Sequence, residues 1–97
     1  MLYLLQKERK GEITMTKNEI KELFKDNKPT RNHISAVALS NITYFAIVNL
    51  QMDNDTLDYY YEVGIEELAN SEMPYEQYEI MKEQGWSISG DKLIIFL

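Results

Sequence analysis

The chain contains no cysteine, which excludes a disulfide framework, a thiolate metal site and a thiol nucleophile together. Histidine occurs once, so a metal site built on several imidazoles is excluded and any Ser-His-Asp triad would depend wholly on His33. Its expected place is beside a strand or capping a turn. The four glycines, at positions 11, 64, 85 and 90, stand apart from one another and form no phosphate-cradling loop. No apolar run approaches the roughly 18–20 residues needed to span a bilayer. "MLYLL" is too short, and too soon followed by charge, to be a signal-peptide core. The sequons Asn41-Ile42-Thr43 and Asn54-Asp55-Thr56 therefore read as chance matches, and the expected location is the cytoplasm of a bacterial host.

What remains is the composition of a globular protein: 97 residues, 44% hydrophobic and 27% charged. That length holds one core and leaves no room for two lobes around a cleft. The first fourteen residues, "MLYLLQKERKGEIT", carry two readings. In one, Met15 is the natural start and residues 1–14 are a translated leader, because Lys10-Gly11-Glu12 is encoded by a purine-rich stretch that resembles a bacterial ribosome-binding sequence. In the other, "LYLLQ" and "EITM" form a hairpin, or "LYLL" pairs with another strand.

From Met15 the elements are marked more plainly. Thr16-Lys17-Asn18-Glu19 fits a capping box, with Met15 and Ile20 placed as a hydrophobic staple and Ile20, Leu23 and Phe24 at helical spacing. "DNKP" ends that helix near Asp26. The stretch "ISAVALSNITYFAIVNLQM" lacks Gly, Pro and acids, and Ile42, Tyr44, Ala46, Val48, Leu50 and Met52 alternate as in a half-buried strand. Phe45 and Ile47 interrupt its polar face and predict a central strand. Ile34, Val37 and Ala38 also suit a short helix, but a strand turning at Ser40-Asn41 is favoured. After the "DNDT" turn, "LDYYYEV" alternates, which sends Tyr59 and Tyr61 to the core and Tyr60 outward. "IEELANS" makes about two helical turns, and "SEMPYEQYEIMKEQGW" a longer helix ended by Gly85, with Trp86 folding back on Met81. The tail turns through Ser89-Gly90-Asp91, and its last strand, Leu93 to Leu97, is apolar throughout. The expected fold class is α+β: an N-terminal helix, a three-stranded meander, one or two helices, and a C-terminal hairpin completing an antiparallel sheet of about five strands.

Charge carries the functional signal. Sixteen acids oppose ten bases, a net charge of −6. From Asp53 to Glu83 ten acids face only Lys82, whereas residues 17–31 hold five bases and three acids. Such a field disfavours direct nucleic-acid binding and attracts a basic surface, although acids on helix faces also serve solubility. Asp53-Asn54-Asp55 opens like a calcium loop, but Leu57 stands where an oxygen ligand is required and the sixth position is not glycine. Tyr75, Tyr78 and Met81 recur at the spacing of a core stripe. Catalysis is not expected, because carboxylates on an open surface lack the burial that tunes them for acid–base work. Neither a metal nor another cofactor is expected.

The reading that follows is a non-enzymatic protein-binding module, bacterial or phage-encoded, that inhibits or regulates a partner with a basic surface. Mimicry of nucleic-acid charge is the suggested means, and Asp58, Tyr60, Glu62, Glu66, Glu67, Glu76 and Glu79 are the expected contact residues. One alternative is a self-associating assembly protein, a homodimer through an open sheet edge or exposed aromatics. Another is a small-ligand or antitoxin-like regulator whose basic residues Lys17, Lys21, Lys25, Lys28 and Arg31 meet an anion.

Overall fold

The computed structural model of the chain describes residues 15–97; the leader and hairpin readings of residues 1–14 lie outside them. The described residues form an α+β domain of four helices and four strands: α1 (Lys17–Phe24), α2 (Ala36–Thr43), β1 (Val48–Met52), β2 (Tyr59–Gly64), α3 (Ile65–Ala69), α4 (Tyr75–Gln84), β3 (Ser87–Ser89) and β4 (Lys92–Phe96). The strands make one antiparallel sheet in the order β1-β2-β4-β3.

Sheet register sorts the side chains. Val48, Leu50 and Met52 lie opposite Val63, Tyr61 and Tyr59, and Tyr61 and Val63 lie opposite Ile95 and Leu93. Because side chains alternate across a strand, these residues share one face. Val63, Leu93 and Ile95 from that face join Ile20, Phe24, Ile42, Ile65, Leu68, Tyr78 and Met81 in a single core, to which all four helices contribute. The other face carries Asn49, Gln51, Tyr60, Glu62, Lys92, Ile94 and Phe96. Among the described residues the helices thus lie on one side of the sheet.

Local sequence explains most helix boundaries. Thr16 Oγ1 accepts from the Glu19 N–H and the Glu19 carboxylate from the Thr16 N–H, at 3.2 and 2.9 Å, so the capping box is present as written in the sequence. Met15 and Ile20 are both buried, as a staple requires. Pro74 occupies the N-cap of α4, and Gly85 closes the helix at φ 99°, with Trp86 N–H reaching back to the Met81 carbonyl at 3.3 Å. Gly90, at φ 62°, gives β3 and β4 their tight turn.

Three expectations for residues 34–52 require correction. Residues 36–43 are helix, and the strand begins only at Val48, so among the described residues the sheet has four strands and no three-stranded meander. Ser35 caps α2 by accepting from the Ala38 N–H at 3.1 Å, Ile42 is buried in the core, and Ile34, just before the cap, packs against it. The alternation of Ile42, Tyr44 and Ala46 spans a helix end and a turn, where Tyr44 is almost wholly exposed. Among the described strands β1 lies at an edge of the sheet, not in the central place its composition predicts.

A strap of chain between α1 and α2 fixes the end of α4. Asn27 Nδ2 donates to the carbonyls of Lys82 and Trp86, Thr30 Oγ1 to that of Gly85, and Asn32 Nδ2 to that of Gln84, at 2.8–3.0 Å. Helix C-termini leave carbonyls without intrahelical partners, and three side chains supply the donors here. The strap continues beside β4, where Phe96 N–H donates to Thr30 O and Asn32 N–H to Phe96 O.

Candidate functional site

The structure distributes the seven expected contact residues over three places. Asp58, Tyr60 and Glu62 belong to β2 and the turn before it, on the sheet face opposite the helices. Glu66 and Glu67 lie on α3, and Glu76 and Glu79 on α4 in the helical layer. No single surface gathers them.

The group on the sheet face is internally matched. Arg31 Nη2 meets Asp58 Oδ2 at 3.0 Å, and the same guanidinium donates to the Leu97 carbonyl. Glu62 Oε2 accepts from Gln51 Nε2 at 3.3 Å and lies 4.0 Å from Lys92 Nζ. Tyr60 is half-buried against Phe96, ring centroids 5.4 Å apart. Here the tyrosine assignment changes: Tyr61 packs on the core, but Tyr59, expected inside, is half exposed, and Tyr60 is not the free aromatic that alternation suggested. Alternation correctly separates the faces of β2; it does not reveal that the helical layer stops short of its first residue.

Folding also pairs much of the charge. Lys17 faces Glu66 at 3.8 Å and Lys21 faces Asp91 at 3.7 Å; Lys25 pairs with Glu22. With Arg31 on Asp58, four of the five bases in residues 17–31 stand next to a carboxylate, each an exposed pair of small energetic worth. Glu67 Oε2 accepts the Ile47 N–H at 2.8 Å and so joins α3 to the start of β1. Asp53 is occupied as well, its Oδ1 accepting from the Asp55 N–H at 2.9 Å in the turn between β1 and β2.

The acids of α4 are different. Glu76, Glu79 and Glu83 recur at intervals of three and four on its outer surface, exposed and without an ion pair among the described residues. Tyr75 and Ile80, both more than two-fifths exposed, lie on the same surface, while Tyr78 and Met81 point into the core. The Tyr75 phenol is pushed up from its usual value first by partial burial, then by the Glu79 carboxylate beside it. An aromatic and an aliphatic side chain set among three carboxylates therefore occur on α4. The sequence carries this signal in the 76, 79, 83 spacing; of the Tyr75-Tyr78-Met81 stripe, whose spacing favours the core but also allows Tyr75 and Tyr78 an aromatic place beside the acids, Tyr78 and Met81 are buried and Tyr75 is not.

No protein-family model, characterised protein or solved structure matches the chain.

Proposed function

We propose that the protein is a non-enzymatic binding module that inhibits or regulates a partner protein through the outer face of α4. The observation that carries this reading is the division of the acids. Asp58, Glu62 and Glu66 face bases of this chain, whereas Glu76, Glu79 and Glu83 are turned to solvent around Tyr75 and Ile80. A helix with an apolar centre and an acidic surround suits a groove lined with lysine and arginine, and tyrosine contributes contact area at low rotamer cost. The partner class that fits is a protein with a basic surface, such as a nucleic-acid-binding enzyme of a bacterial host whose phosphate-contacting residues the carboxylates would engage. A phage or mobile element is a suitable source for such an inhibitor, given the small size and acidity of the chain.

Affinity capture from bacterial lysate at low and high ionic strength tests the reading. A basic protein is expected to be retained at low salt, lost at high salt, and lost from a Glu76→Lys/Glu79→Lys variant; its own binding to duplex DNA should compete with capture. Capture that ignores both salt and the charge reversal would overturn the proposal.

A further inference from the structure

Among the described residues the two edges of the sheet are treated differently. On the β3 side the edge strand has three residues, and the Thr30–Asn32 strap covers β4 beyond it. On the other side β1 has five residues in unbroken register with β2, and Asn49, Leu50, Gln51 and Met52 are all exposed. Natural edge strands are usually blunted by charge, proline, a bulge or a covering segment, because free N–H and C=O groups invite another strand. "VNLQM" contains no charge, proline or glycine. On its core-facing side Leu50, Met52 and the neighbouring Tyr59 continue the apolar surface past the helices, 55%, 41% and 52% exposed.

We propose that β1 pairs antiparallel with β1 of a second copy about a twofold axis at Leu50, joining two four-stranded sheets into one of eight strands. The sequence of the strand is complementary to itself in that register. Leu50 meets Leu50, Val48 meets Met52 on the apolar face, and Asn49 meets Gln51 on the polar face. Each pair is alike in polarity and none sets like charges opposite each other. Asp53 falls opposite Ile47, not opposite another acid. The net charge of −6 does not forbid the contact. Glu62, on the adjacent strand, is held by Gln51 and Lys92, and two β2 strands separated by the paired β1 strands lie about 14 Å apart, beyond a Debye length of about 8 Å.

The area available sets the strength. At about 200 Å² for a large side chain, the three exposed fractions leave roughly 300 Å² of apolar surface per copy, to which the main-chain edge adds. A standard interface buries about 800 Å² per partner, so the dimer is reversible and concentration-dependent. Because the axis is perpendicular to the sheet, both helical layers stay on one side and two α4 faces are presented together. The dimer does not depend on what α4 binds.

Analytical ultracentrifugation across a concentration series should show the mass rising from 11.4 kDa toward twice that value. Leu50→Lys, at a half-exposed position, should hold the monomer mass while leaving the circular-dichroism melting curve close to that of the parent. The absence of cysteine permits a second test of register. Oxidised Leu50→Cys chains should cross-link several-fold faster than Met52→Cys chains, whose neighbour across the axis is Val48. A monomer at every concentration, a dimer unchanged by Leu50→Lys, or equal cross-linking at the two positions would each overturn the proposal.

Discussion

Replacing Gly85 with alanine tests the junction between α4 and the strap. Gly85 has φ 99°, and a Cβ built there would stand 2.1 Å from Thr30 Oγ1 and 3.2 Å from Thr30 Cβ. Two costs combine. A left-handed backbone costs a residue with a Cβ roughly 1–2 kcal/mol. Thr30 must also withdraw, which forfeits its 2.9 Å bond to the Gly85 carbonyl, worth about 1 kcal/mol. Gly85→Ala should therefore destabilise the fold by about 2–3 kcal/mol, a large share of the roughly 5–15 kcal/mol that a domain possesses. For a chain of this size the melting temperature should fall by roughly 10–20 °C. Urea denaturation monitored by Trp86 fluorescence measures the change directly. Gly90→Ala is the control, since φ is 62° there but no atom lies within 4 Å of the added carbon; it should cost about 1 kcal/mol. Thr30→Ala removes the 2.1 Å approach, so the double variant should be more stable than the two single losses added together. If Gly85→Ala costs no more than Gly90→Ala, or if the losses simply add, the steric account is wrong.

Two further outcomes are expected. Leu57 stands at φ 63° in the turn between β1 and β2 with its side chain 66% exposed, so Leu57→Gly should relieve backbone strain at little cost in packing and raise stability by about 0.5–1 kcal/mol; an unchanged or lower denaturation midpoint would count against strain there. The Tyr78 phenol is fully enclosed and donates to the Leu68 carbonyl at 2.9 Å; burial pushes it up to about 12, partly opposed by Ser71. Between pH 10 and about 12 the unfolded chain releases that proton while the folded one keeps it, so stability falls as pH rises by about 2 kcal/mol across the window. Tyr78→Phe should flatten that part of the stability-against-pH curve, and an equal slope in both proteins would contradict the assignment.

The parts of the fold that local chemistry specifies were legible in the sequence. Thr16 and Glu19 name their helix start because a capping box satisfies two backbone donors within four residues. Gly85 and Trp86 name a helix end for the corresponding reason at carbonyls. The strand expected over residues 34–47 does not form; in the sequence, β-branched composition and a chance alternation mask the weaker signal of Ser35 as a cap. Tyr59 departs from its expected burial for another reason: exposure there depends on where the helical layer ends, and no local pattern records that. The pairing of Arg31 with Asp58 and Lys17 with Glu66 is likewise invisible in sequence, since the partners are tens of residues apart.

The strap has a consequence in time. Asn27, Thr30 and Asn32 reach acceptors that lie 52–59 residues further along the chain, so their bonds form only after a long loop closes. On a ribosome, α1 and the strap emerge well before α4 exists, and the donors spend that interval in water. The last carbonyls of α4 likewise lack these donors until the first third of the chain meets the last.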